Sequence, residues 1–176
     1  MFHLTSPAAR PTAVAGMFYP ADAQTLRAEV DRLLDAAPRR LALAPKALIV
    51  PHAGYPYSGP IAATAYACLA SHADHISRVV LIGPAHRVAV RGLATPGADR
   101  FATPLGEVPL DTTALAALEV LPHVNRNALA HAEEHALEVQ LPFLQRVLHE
   151  FSLVPLLVGD ATGPAVSQAL DRAWCG

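Results

Sequence analysis

The sequence predicts an α/β fold, a central sheet, mostly parallel or mixed, with helices on both faces in a three-layer α/β/α arrangement. Three observations predict it. The short unbroken apolar runs ALIV (47–50), RVVLIGP (78–84) and FSLVPLLVGD (151–160) have the length and composition of strands covered on both sides. Stretches with apolar residues at helical spacing lie between them. Strands that alternate with helices bury their apolar faces by packing as a sheet between helical layers. A chain of 176 residues has room for one domain with a substantial core, so a single domain over 1–176 is expected.

Taken in order, the elements follow from local chemistry. The segment 22–37 carries Leu26, Val30, Leu33 and Leu34 at helical spacing and stops before Pro38, which predicts an amphipathic helix. ALIV predicts a buried strand that ends on His52 and the turn residues Gly54, Pro56 and Gly59. Ser58 offers an N-cap with Pro60 just inside, and Ile61, Ala65, Cys68 and Leu69 continue that helix. RVVLIGP repeats the theme, with His86 just past its carboxyl end. Turn residues crowd 91–110, which predicts short antiparallel strands or a hairpin over one end of the sheet. A helix from about Asp111 to Glu119 follows. HAEEHALEVQLPFLQRVLHE (131–150) sets Leu137, Leu141, Leu144 and Leu148 on one stripe and predicts a helix bent at Pro142. The run 151–160 is the next strand, and Gly163 to Trp174 one more helix.

Charge and composition exclude several classes. Thirteen basic and fifteen acidic side chains give a formal charge of -2, and no basic stripe appears, so neither nucleic acid nor a membrane surface is an expected partner. The apolar runs are strand-sized, far short of the roughly 20 residues that cross a bilayer. The opening MFHLTSPAARPTAV lacks a basic stretch followed by a continuous apolar one, so a cytoplasmic location is expected. Two cysteines make no disulfide framework: Cys68 reads as an inert core thiol and Cys175 as a terminal residue. No phosphate-binding glycine loop and no GxSxG elbow is present.

The unusual count is histidine, at nine. In open α/β sheets, ligands gather beyond the carboxyl ends of the strands, where His52 and His86 are expected. Two imidazoles brought there by separate strands suit a first-row transition ion, because magnesium and calcium prefer oxygen ligands. A strand-end histidine that merely caps a loop carbonyl fits the same spacing, and the spacing alone does not decide between the two. His131 and His135 are four apart, and Glu134 and Glu138 repeat that interval beside Glu133; a metal, a general base or a solvated helix face all fit this pattern. His3, His72, His75, His123 and His149 read as surface residues.

These residues fall in ordered blocks, RPTAVAGMFYP (10–20), VPHAGYPYSGPIAATAY (50–66), LIGPAHR (81–87), FATPLGEVPLD (101–111), EEHALEVQLPFL (133–144) and VPLLVG (154–159). In that order they resemble the Memo-like family, known in microbes as the B component of the AmmeMemoRadiSam system. The resemblance implies an α/β fold related to the class III extradiol dioxygenases, with non-haem iron(II) as cofactor and zinc or copper as alternatives. It makes His52 and His86 metal ligands, His135 an acid/base facing the metal, and Glu138 a partner that orients a ring or a water. It also implies a third ligand from a later segment, and the chain ends at RAWCG before any such segment. The expectation is therefore a C-terminally truncated domain, a site completed by another chain, or a vestigial site. The function expected is a dioxygenase-type oxidoreductase acting on a small molecule. The alternative is a noncatalytic metal- or peptide-binding module, and an open sheet edge would favour a homo-oligomer.

Overall fold

The computed structural model describes residues 9–38 and 45–174. Helix α1 (Ala23–Ala36) starts where the Asp22 carboxylate accepts from the Thr25 amide, and it buries Leu26, Val30 and Leu33. Helix α2 (Tyr55–Tyr66) follows and tightens into a 3₁₀ stretch (Ala67–His75). Strand β1 is Arg78–Pro84, β2 Leu93–Thr95, and β3 (Arg100–Thr103) and β4 (Gly106–Pro109) form a hairpin. Helix α3 (Thr112–Leu118), β5 (Val124–Arg126), α4 (Ala128–Ala132), α5 (Leu141–Val147), β6 (Ser152–Val158) and α6 (Gly163–Trp174) complete the order.

The main sheet runs β1-β6-β2-β5, with β1 and β6 parallel, β6 and β2 antiparallel, and β2 and β5 parallel. This is the expected α/β fold with a mixed sheet. Strand β6 is central, and Leu153, Val154, Leu156 and Leu157 are fully buried, as a run apolar on both faces requires. Helices α1, α2 and α5 pack on one another, whereas α3 and α6 pack together and touch β6 and β1. One large core joins α1, Leu93, Phe101, Leu118, Phe143 and β6, and a smaller cluster holds Val90, Ala94, Ala130, Leu137 and Leu157.

Three local expectations are corrected. Among the described residues ALIV joins no ladder: Leu48 and Val50 are half-buried against the core, and Ile49 is fully exposed. A buried strand needs a neighbour on each side, and β1 lies at the sheet edge with none beyond it among the described residues. Helix α2 begins at Tyr55, with Gly54 as cap and Pro56 in the first turn, so Ser58 is not its cap. The Ser58 hydroxyl instead donates to the Ala53 carbonyl.

The bent helix over 131–150 is three pieces: α4, a 3₁₀ turn at Glu138–Gln140, and α5, with Pro142 in the first turn of α5. A proline without an N–H fits a helix start better than an interior. At the break over 133–137 the carbonyls of His131 and Glu134 accept from the Arg10 side chain. The hairpin expected within 91–110 is present as β3–β4, and β5 is an element the sequence did not announce.

Candidate metal centre

His52, His86 and His135 converge, each offering a ring nitrogen within 4.8 Å of those of the other two. Ring centroids stand 5.2 Å apart for His52 and His86, 5.8 Å for His52 and His135, and 4.7 Å for His86 and His135. Three elements deliver them. His86 follows the end of β1, His52 follows the extended arm 45–51, and His135 sits in the broken stretch between α4 and α5. Gly83 lets the first and third approach closely. A Cβ there would stand 2.8 Å from Leu137 Cδ2 and 3.3 Å from Ala136 Cβ, so a larger residue would force these side chains of the turn that carries His135 to shift.

The rings are held by groups the sequence pointed to only indirectly. Glu134 is 2% exposed; its Oε2 accepts the His86 backbone N–H at 2.6 Å, and its Oε1 accepts the Ala136 N–H at 2.9 Å. Its Oε1 also lies 2.9 Å from His86 Nδ1. Burial by itself would raise this carboxyl, but the hydrogen bonds from the His86 ring and backbone and from Ala136 outweigh it and hold the group below the usual carboxylate range. An ionised carboxylate can only accept, so His86 Nδ1 is the donor, and in the neutral ring Nε2 is the nitrogen left with a lone pair. The Phe18 ring leans on His135 at 4.8 Å between centroids. Phe18 is placed by its carbonyl, which accepts from the Tyr55 amide, and by Gly54, whose missing Cβ would stand 3.3 Å from that oxygen.

Glu138, the carboxylate assigned to orient a ring or a water, makes no hydrogen bond to any of the three histidines. It is fully buried and accepts from Arg10 Nη1, the Ala13 and Val14 amides and the Tyr19 hydroxyl. The ring-orienting contact belongs to Glu134. In the sequence Glu134 was one acid of a clustered trio, and Arg10 had only its place in the RPTAVAGMFYP block. His131 is not part of the cluster: it is 2% exposed, bonds the Ala94 carbonyl through Nε2 and is pushed down to about 4 by burial. His72 and His123 are half-buried rather than on the surface. His3 and Cys175 lie outside the described residues, and Cys68 is half-buried with its thiol on the Thr64 carbonyl.

The donor set fits a transition ion. Three imidazoles form an all-nitrogen set, and nitrogens bonded to one such ion at about 2.1 Å stand roughly 3–3.5 Å apart, so an ion would draw these three inward. His135 Nδ1 is a buried polar atom without a hydrogen bond; Glu134 Oε1 lies 3.3 Å away but is not aligned to accept. Such an atom is costly unless something binds it. Burial lowers His135, and His86, His52 and Arg87 lower it further against the opposing pull of Glu134, which favours the neutral ring. A separate cleft of about 470 Å³, bounded by Arg27, Gln145, Arg146 and His149, shares no residue with the cluster.

Comparison with known proteins gives a consistent result. The sequence model of the family described as Memo-like protein matches residues 10–172. A MEMO1 family protein of Aquifex aeolicus is 39% identical over 150 residues, which cover 85% of this chain and 54% of that protein. A MEMO1 family protein of Ignicoccus hospitalis is 39% identical over 176 residues, covering 93% of this chain and 61% of that one. A protein memo-1 homolog of Caenorhabditis elegans is 36% identical over 157 residues, covering 88% and 44%. The chain thus spans 44–61% of the length of these relatives.

Proposed function

The chain belongs to the Memo-like protein family, and from that premise we propose that His52 and His86 hold one metal ion, with His135 facing it as an acid/base, in a centre serving a dioxygenase-type oxidoreductase. Iron(II) is the proposed cofactor, with zinc and copper the alternatives. The observation that carries the reading is the meeting of three imidazole nitrogens, from three separate segments, within 4.8 Å.

Each residue has a distinct task. His52 and His86 are the ligands. The Glu134 carboxylate fixes His86 with its proton on Nδ1, which aims Nε2 at the centre and raises the basicity of the ring. His135, whose neutral form is favoured by burial, takes a proton from a substrate hydroxyl and returns it, the service a general base and acid performs. Phe18 covers one side of His135 and limits the access of water to that ring. Bound iron(II) supplies redox chemistry with dioxygen that no side chain here can provide. The ligand is a small molecule or a peptide that reaches the half-exposed face of the cluster, in a cytoplasmic setting.

Metal analysis of protein purified without an affinity tag tests the reading. One equivalent of iron, zinc or copper is expected, lost in His52→Ala and in His86→Ala, with oxygen uptake on catechol-like compounds when iron is bound. His135→Ala is expected to keep the metal and lose turnover. An intact protein that takes up none of the three metals would sink the proposal. Retained metal without oxygen uptake would leave the noncatalytic module in its place.

A further inference from the structure

We propose that Arg10 is a positioning residue of the histidine site, acting through the broken segment 131–138. The guanidinium is 6% exposed and spends all three of its nitrogens on that segment. Its Nε donates to the His131 carbonyl at 2.7 Å, Nη2 to the Glu134 carbonyl at 2.6 Å, and Nη1 to the Glu138 carboxylate. In a continuous helix the first two carbonyls would accept from the amides four residues later, at His135 and Glu138. By taking those carbonyls, the guanidinium stabilises the interruption that turns the Glu134 carboxylate toward His86 and His135 toward the common centre.

The other end of the arrangement is equally fixed. The Arg10 amide donates to the Arg100 carbonyl, and the Ala102 amide donates to the Arg10 carbonyl, so the backbone of Arg10 is bridged to β3. The guanidinium also lies over the Phe101 ring, 5.0 Å from its centroid. Glu138, gripped by Arg10, accepts from Ala13, Val14 and Tyr19 and so fastens the strap that carries Phe18 against His135. One buried ion pair therefore sets both the segment that holds Glu134 and His135 and the aromatic ring that packs against His135. Lysine could keep the charge opposite Glu138 but could not reach all three acceptors in one plane.

Two measurements decide this, and only the second rests on the metal reading. The first is ¹⁵N-histidine NMR of metal-free protein. The wild type is expected to show His86 as the Nδ1–H tautomer with a slowly exchanging ring proton, and Arg10→Met/Glu138→Leu, which removes the pair together, is expected to show a tautomer mixture with fast exchange. The second is cobalt(II) titration, in which the same variant loses about 10–100-fold in affinity, the range for a lost orienting contact. Val30→Ala, a cavity variant in α1 that removes no group of the site, controls for stability alone and should move neither readout. If the double variant does not fold, Arg10→Lys serves, with the same direction and a smaller size. A folded variant that keeps the His86 signal, or a Val30→Ala protein that loses it as fully, would overturn the assignment. Should the wild type bind no cobalt at His52 and His86, the metal reading fails while the ring-proton measurement still judges Arg10.

Discussion

His135 and His52 reach the same centre by opposite means. The segment that carries His135 is fixed by a polar network in which Arg10, Glu134 and Glu138 are all buried and each makes several hydrogen bonds. The arm that carries His52 packs Leu48 and Val50 against the core and makes few hydrogen bonds among the described residues. Among the described residues, no ladder or turn engages the backbone of 47–51 except through the Pro51 carbonyl, which accepts from Gln140 Nε2 at 3.0 Å. The two sides of the site thus differ in stiffness. The network costs dearly when one member is removed, and the arm adapts cheaply, so an ion entering the cluster would be met by an ordered His86–His135 side and a movable His52.

The sharpest way to break this contrast is Glu138→Ala. It leaves the Arg10 guanidinium buried without its carboxylate and strips the Ala13 and Val14 amides and the Tyr19 hydroxyl of their acceptor. Removing one partner of a buried pair costs about 3–5 kcal/mol. Urea denaturation should show a loss of that size, and a loss below about 1 kcal/mol would mean that the network does not hold the segment. Acid gives a second, somewhat smaller effect. His131 is held neutral down to about 4 against an ordinary 6.5, by burial and by the Arg10 charge and against the opposing pull of Glu134. Between those two values the unfolded chain binds a proton that the native state refuses, so the stability it contributes is complete above about pH 6.5 and disappears as pH falls toward 4. The depression corresponds to about 3 kcal/mol. His131→Gln keeps a donor for the Ala94 carbonyl but does not titrate, so wild type should lose about that much more stability than the variant between pH 6.5 and 4. Parallel stability curves for the two proteins would show that His131 takes up its proton without resistance.

What the sequence made legible follows the same division. Apolar periodicity located α1, α3, α6, β1 and β6 because each buries a face whose spacing is written in consecutive residues. The histidines at 52 and 86 were legible as a pair because glycine and proline turns follow both. Glu134 and Arg10 were hidden, since a buried acid and a buried base 124 positions apart look, one residue at a time, like solvated surface. The break in the 131–150 helix was hidden for the same reason: the leucine stripe is intact, and the side chain that bonds the carbonyls at the interruption comes from the other end of the chain. ALIV misled in the opposite direction. Its pattern is that of a strand, but a ladder also requires a neighbour, and a neighbour is not a property of four residues.

That difference makes Ile49 the most delicate probe. Its side chain is fully exposed, whereas Leu153 in β6 is fully buried, although both lie in runs with the same apolar signature. Exposed substitutions away from special features change stability by about 0.5 kcal/mol or less, and truncation of a buried leucine costs roughly 2–5 kcal/mol. Ile49→Ser is therefore expected to leave the urea midpoint almost unmoved while Leu153→Ala lowers it strongly. Hydrogen exchange should agree, with the amides of Leu48, Ile49 and Val50 exchanging far faster than those of Val139 and Gln140, which donate to the His135 and Leu137 carbonyls. If Ile49→Ser costs more than about 1 kcal/mol, or if its amide is as protected as those of β6, the arm is paired with something in solution. His52 would then be held as firmly as His135, and the contrast between the two sides of the site would disappear.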